Sequence, residues 1–232
     1  MKKFISIFLI VIISLVVVGC SKEKTDAMKF KEEYESVNNV VNEHTKKKNR
    51  ELSISKDNPF IYATAEEIVE KINKKETFIV YFGFAECPWC RSVLGELIHA
   101  AEDRNVETIY YVDVLNIRDT REIAEDGTIT TTKEGSEGYM KLIELLGDVL
   151  ADYSLTNENE ETISAEEKRI YAPNLVAVSQ GKALQLETGI SDELKDPYSK
   201  LTKKIKKYAY KKFDCLMKCL EEESNTCQKN SC

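Results

Sequence analysis

Two cysteines three residues apart, in Cys87-Pro88-Trp89-Cys90, are the part of this sequence best suited to covalent chemistry. At that spacing both sulfurs share one face of a helix and can close a ring. The free N–H groups at a helix N-terminus stabilise a thiolate. The chemistry open to such a pair is thiol–disulfide exchange through a mixed disulfide. Pro88 suits a first helical turn, where its missing N–H costs nothing. Trp89 would flank the sulfurs with apolar surface. A structural disulfide and half of a metal site stay open as plainer readings. Ligands for a metal are scarce, since His44 and His99 are the only histidines and no second C-x-x-C occurs.

The chain has seven cysteines, and the other five sort by position. Cys20 follows Lys2, Lys3 and an apolar run from Phe4 to Val18. That run is shorter than the ~20 residues a spanning helix needs, and its flanks suit an export signal. Val17-Val18-Gly19-Cys20 resembles the lipobox of bacterial lipoproteins, which implies lipidation at Cys20. An uncleaved anchor with an incidental cysteine is the alternative. Either reading puts the rest of the chain outside the cytoplasm, where even numbers of cysteines usually pair. Cys215, Cys219, Cys227 and Cys232 fit that rule. Cys215 and Cys219 are four apart, on one face of a helix. A turn near Ser224-Asn225 would give nested pairs, Cys219–Cys227 and Cys215–Cys232. Four cysteines allow three connectivities, and sequence does not choose among them. A four-cysteine zinc site and a second redox relay remain alternatives for this tail.

The elements that must position Cys87 and Cys90 are readable around them. Thr77–Phe84 is nearly all apolar, as in a strand buried on both faces. A helix runs from the cysteines to about Asp103, with Leu94, Leu97, Ile98 and Ala101 at helical spacing. Thr108–Val114 is a second strand, so a parallel pair with a helical crossover is expected. Thr64-Ala65-Glu66-Glu67 is a capping box opening a short helix that buries Ile68 and Ile72. Residues 21–56 are polar and lysine-rich. They read first as a tether, then as a short helix holding Val37, Val40 and Val41, then as a strand near Leu52–Ile54.

Farther along, Asp126-Gly127 marks a turn. Tyr139, Leu142, Ile143, Leu146, Leu150 and Tyr153 mark one amphipathic helix. Asn157–Arg169 reads as an exposed acidic stretch. After Pro173, Asn174–Ser179 and Ala183–Thr188 flank Gln180-Gly181 as a β-hairpin. A last helix spans about Pro197 to Glu222, with Leu201, Ile205, Tyr208 and Leu216 on its apolar face. Seven lysines between Lys200 and Lys212 give it a basic side, either simply solvated or attracted to anionic headgroups.

The 232 residues carry a formal net charge of -7. An acidic chain gives no support to nucleic-acid binding. The length suits one domain with an elaboration. The divisions read as 1–19 signal peptide, 20–50 lipid-anchored tether, 51–212 main domain with an insertion over about 115–170, and 213–232 cysteine-rich extension.

Strand, C-x-x-C opening a helix, strand, X-Pro before a hairpin, final helix: this order resembles the thioredoxin family. The match rests on Phe78–Phe84, Cys87-Pro88-Trp89-Cys90, Tyr110–Val114 and Ala172-Pro173. The resemblance implies an α/β fold with a central mixed sheet flanked by helices. A helical insertion would precede the cis-proline, and a disulfide-stapled helix would end the chain. It implies Cys87 as a partly exposed nucleophile, Cys90 as resolving cysteine and Pro173 as the cis-proline. The Ala172 backbone would pair with an extended substrate, and Trp89 would touch it. No cofactor or metal is implied.

Three positions depart from the family pattern. Tyr81 stands where a buried carboxylate is common, Glu86 replaces the usual Trp before the nucleophile, and Asp113–Pro173 is long. The layout is also similar to small lipoproteins and bacteriocin-export accessory proteins of Gram-positive bacteria. The implied activity is thiol–disulfide exchange on exported proteins, fed by a membrane redox partner, at the outer face of the cell membrane. A non-catalytic accessory or binding module is the second reading, and peroxide reduction a third.

Overall fold

Strand β2 (Phe78–Gly83) is buried at all six positions, as its run of apolar residues predicts. The computed structural model describes residues 24–43, 45–157 and 159–221. The expected signal segment, Cys20, His44, Cys227 and Cys232 lie outside the described residues. Around β2 the sheet runs in the order β1 (Phe60–Tyr62), β3 (Ile109–Asp113), β2, β8 (Asn174–Ser179), β9 (Lys182–Glu187). Strands β1, β3 and β2 are parallel, with Phe60 opposite Ile109 and Val80 opposite Tyr110. Strand β8 pairs antiparallel with β2, placing Val176 opposite Val80. The β8–β9 turn puts Gln180 and Gly181 at φ 49° and 74°. Two successive left-handed residues match the twist of a two-residue hairpin. At Gly181 a Cβ would also lie 2.3 Å from the Ile72 carbonyl.

Side chains alternate across β2, so it serves two cores. Ile79 and Tyr81 point to helices α1 (Asp26–Ser36), α3 (Pro88–Asp103) and α5 (Lys203–Glu221), where Phe30, Leu94, Leu97 and Phe213 meet them. Val80 and Phe82 point to α2 (Ala65–Asn73) and α4 (Glu137–Leu146), against Ile68, Leu142 and Leu146. The capping box of α2 is complete: Thr64 accepts from the Glu67 N–H, and Glu67 accepts from the Thr64 N–H.

The N-terminal stretch differs from the tether expected over 20–50. Its helix is α1, capped by Thr25, and Phe30 and Tyr34 are fully buried on it. The two aromatics are one turn apart, and lysines and glutamates around them mask the pattern in the sequence. Val37 ends this helix, and Val40 and Val41 are exposed beyond Asn39, whose φ is 61°. No strand forms at Leu52–Ile54, although Ile54 is buried. The folded body therefore starts well before residue 51.

The insertion is mixed rather than helical. It holds the hairpin of β4 (Thr120–Ile123) and β5 (Ile129–Lys133), turning at Asp126-Gly127 as expected, then α4. A second hairpin follows, β6 (Ala151–Thr156) with β7 (Thr162–Arg169). The expected helix to Tyr153 thus stops at Leu146, and Tyr153 lies in a strand. Most of the acidic stretch 157–169 is β7, held by backbone pairing with little apolar burial. The two hairpins share one buried carboxylate. Asp119 pairs with Arg169 and Arg121, each at 3.0 Å, and the Arg169 guanidinium lies 3.9 Å from the centre of the Tyr153 ring. Helix α5 begins at Lys203, later than Pro197, and buries Ile205, Ala209, Phe213 and Leu216. That row leaves Tyr208 exposed, against expectation. Among the described residues, no helix is long and apolar enough to cross a membrane.

Candidate active site

Cys87 is the N-cap of α3. Strand β2 delivers the chain to this point through Phe84–Glu86, and the Cys87 N–H donates to the Phe84 carbonyl at 3.1 Å. Pro88 opens the helix. The Cys87 sulfur accepts from the Cys90 N–H at 3.2 Å. Cys87 and Cys90 are both free thiols. Cys90, one turn into the helix, is fully buried, and Cys87 is only 3 % exposed rather than partly open as expected. Trp89 beside it is half-buried.

Burial pushes the Cys87 thiol up, but three hydrogen bonds outweigh it. The Cys90 thiol and the Cys90 and Trp89 N–H groups all donate toward the Cys87 sulfur, and the Arg118 charge adds to them. Together they hold Cys87 below the ordinary thiol range. Burial, then the adjacent Cys87, pushes Cys90 well above that range. Deprotonation is thus biased toward the outer sulfur.

The Ala172–Pro173 peptide is cis. Cys87 Sγ donates to the Ala172 carbonyl at 3.4 Å. Beside this contact runs a mainly apolar groove of about 320 Å³, lined by Trp89, Tyr171, Ala172, Pro173, Leu186 and Ile190, with Ala151 from the insertion. Cys87, Cys90, Trp89, Ala172 and Pro173 are therefore brought together. Cys215 and Cys219 are not at this site. Both are disulfide-bonded on α5, and the Cys219 sulfur lies 3.2 Å from Gln185 Oε1. Among the described residues no group of three or more His, Cys, Asp or Glu side chains could hold a metal ion.

Sequence reasoning missed two features. Arg91, next to Cys90, is almost fully buried. Its Nε donates to the Arg50 carbonyl at 2.9 Å, and Nη1 donates to the Tyr34 and Ala85 carbonyls at 2.8 and 3.0 Å. Nη2 donates to Asn38 and to the Arg50 carbonyl. Five bonds to neutral acceptors satisfy the guanidinium and clasp residues 34–50 to α3. Helical phase carries the signal, since residue 91 shares the buried row of Leu94 and Ile98.

The second feature is a set of tyrosines beneath Cys90. Tyr81 and Tyr34 are fully buried, and neither hydroxyl closes a hydrogen bond. Both rings pack against Tyr111, whose ring centre lies 6.1 Å from that of Tyr81 and 6.0 Å from that of Tyr34. Tyr111 donates to Glu33 at 3.0 Å, and Tyr62 donates to the same carboxylate. Gly83 makes room for the Tyr81 phenol: a Cβ there would sit 2.8–3.0 Å from its ring and oxygen.

Comparison with models of known protein families and with curated proteins finds no match.

Proposed function

We propose that this chain is a thiol–disulfide oxidoreductase of thioredoxin-like fold, acting on cysteines of exported proteins through Cys87 and Cys90. The observation that carries the reading is the free Cys87 thiol at the cap of α3, with its sulfur against the carbonyl that precedes a cis-proline. The sheet order β1-β3-β2-β8-β9 supports the same fold assignment. In the reaction, the Cys87 thiolate attacks a substrate disulfide and forms a mixed disulfide. Cys90 then attacks the Cys87 sulfur, releasing the substrate as a dithiol. The reverse sequence donates a disulfide. The chemistry needs no cofactor or metal. A lipid on Cys20 would hold the enzyme at the outer face of the membrane, close to a membrane redox partner.

Purified full-length protein in detergent, equilibrated with thiol buffers, tests this directly. A reversible couple near about −270 mV marks a reductant, and one near about −120 mV an oxidant. Cys87→Ser abolishes exchange, whereas Cys90→Ser accumulates the mixed disulfide. If no reversible couple exists at this pair, the catalytic reading is lost. The deep burial of Cys87 favours a second reading, a thioredoxin-fold binding module. In that case Cys87→Ser leaves the cellular role intact.

A further inference from the structure

The chain has a formal net charge of -7, yet cations crowd one part of its surface. Residues 40–51 and 195–207 hold ten Lys and Arg side chains against three carboxylates, Glu43, Glu51 and Asp196. Contacts between residues far apart in sequence join the two segments. Arg50 donates to the Pro197 and Ser199 carbonyls at 2.9 and 2.6 Å, and Thr45 donates to the Tyr198 hydroxyl at 3.0 Å. Lys47 pairs with Asp196 at 2.8 Å. The Arg50 carbonyl accepts from Arg91, and Lys206 lies 3.6 Å from Glu96, so this surface flanks the first turns of α3.

We propose that this surface docks on anionic lipid headgroups, with Val40 and Val41 entering the headgroup–acyl boundary. That the chain works at a membrane is part of the reading proposed above. Residues 39–43 and 45–49 are the two arms of a small finger beyond the end of α1. Val41 pairs with Lys48, the Asn49 N–H donates to the Val40 carbonyl at 2.8 Å, and Lys46 turns the chain at φ 56°. Val40 and Val41, at 48 and 47 %, are the most exposed large apolar side chains among the described residues. Lys46, Lys47 and Lys48 across the finger are exposed too. An aliphatic tip beside ammonium groups suits a lipid boundary, where the tip leaves water and the lysine stems snorkel to the phosphates.

Helix α5 adds a second line of charge. Lys203, Lys207 and Lys211 follow at four-residue intervals, opposite the buried row of Ile205, Ala209 and Phe213. Like charges four apart on a helix repel. Lys47, Lys204 and Lys206 are neutralised by Asp196, Glu193 and Glu96. Among the described residues Lys46, Lys48, Lys203, Lys207 and Lys211 form no ion pair. An anionic lipid surface supplies the missing counter-charge to all five, each lysine strengthening docking about fivefold.

Across the sheet the sign reverses. Residues 119–169, which carry α4 on the face opposite α5, hold fourteen Asp and Glu against five Lys and Arg. This asymmetry selects one orientation, with the finger and α5 toward the headgroups and the insertion toward solvent. Charge alone would fit an acidic protein as well. The exposed valine pair beside the lysines favours the bilayer.

Amine footprinting of the full-length protein in lipid nanodiscs tests this. A neutral amine-reactive ester labels each exposed lysine at a rate read by mass spectrometry. In discs of phosphatidylglycerol and phosphatidylcholine, Lys46, Lys48, Lys203 and Lys207 are expected to label several-fold more slowly than in phosphatidylcholine alone. Lys141, exposed on α4, labels equally in both. Lys203→Gln with Lys207→Gln weakens docking about 30-fold and returns Lys46 and Lys48 to the phosphatidylcholine rate. Val40→Asn with Val41→Asn has the same effect on those two lysines. All four substituted positions are exposed, so the thermal midpoint stays unchanged. Equal labelling in the two kinds of disc overturns the proposal, as does slowing that extends to Lys141. Slowing by soluble polyglutamate in phosphatidylcholine discs, unaltered by the valine variant, assigns the surface to an acidic protein and overturns the lipid assignment. Failure to enter discs of either composition overturns the anchored reading itself, and the docking with it.

Discussion

Cys87 carries the clearest residue-scale consequence, because its thiolate is favoured while Cys90 stays protonated. The sign follows from proton counting. Below the Cys87 pKa, reduction takes up two protons with two electrons, and the potential falls by about 59 mV per pH unit. Above it, only the Cys90 proton is taken up, and the slope is about 30 mV. Since the Cys87 pKa is depressed, the break lies below the ordinary value of a free thiol. A potential-against-pH titration with one slope up to that value would contradict the assignment of the outer sulfur as the ionised one. That Cys87 and Cys90 open one helix was legible from their spacing. The burial of Cys87 was not, because the Ala172 carbonyl that its sulfur meets lies 85 residues along the chain.

At the scale of elements, α1 is the finding the sequence hid most completely. Phe30 stacks on Phe60 and Tyr34, with ring centres 4.0 and 4.5 Å apart, and meets Tyr111 edge-on. Phe30→Ala is expected to cost about 3–5 kcal/mol, the usual range for a fully buried aromatic. Thr64→Ala, which removes only a cap on α2, is expected to cost about 1 kcal/mol. Urea unfolding of both variants gives the ratio, and equal small losses would remove α1 from the core. The strands β2 and β3 and the helix between them were legible because each buries a periodic or continuous apolar set. Strands β4 to β7 were not, since they pair as exposed two-stranded ribbons with little periodicity to reveal them. Thr25 capping α1, with Phe30 and Tyr34 one turn apart, was a signal available in the sequence but diluted by six charged neighbours between Lys24 and Glu33.

For the whole molecule, the Arg91 clasp and the α1 aromatics join residues 26–54 to the sheet, so this body is larger than a domain starting at residue 51. A chain beginning at Glu51 leaves the Arg91 guanidinium with one of its carbonyl partners, Ala85, and strips one face of β1 and β3. Losing several charge-assisted bonds at about 1.5–3 kcal/mol each is comparable to the entire stability of a domain. Such a chain is expected to show no cooperative thermal transition by circular dichroism, whereas one beginning at Lys24 melts cooperatively. Equal melting of the two would mean that the N-terminal stretch is dispensable after all.

Gly83 and Tyr81 also constrain how this sequence can change over generations. The phenol occupies the space a side chain at 83 would need, and it is packed between the rings of Phe60 and Tyr111. A lineage that replaces Gly83 first passes through a clashing intermediate, and Phe at 81 brings no relief because its ring keeps the same edge. A lineage that first shrinks residue 81 opens room for any later choice at 83. The two sites therefore form an ordered pair, and descendants of this chain keep Gly83 for as long as they keep an aromatic at 81.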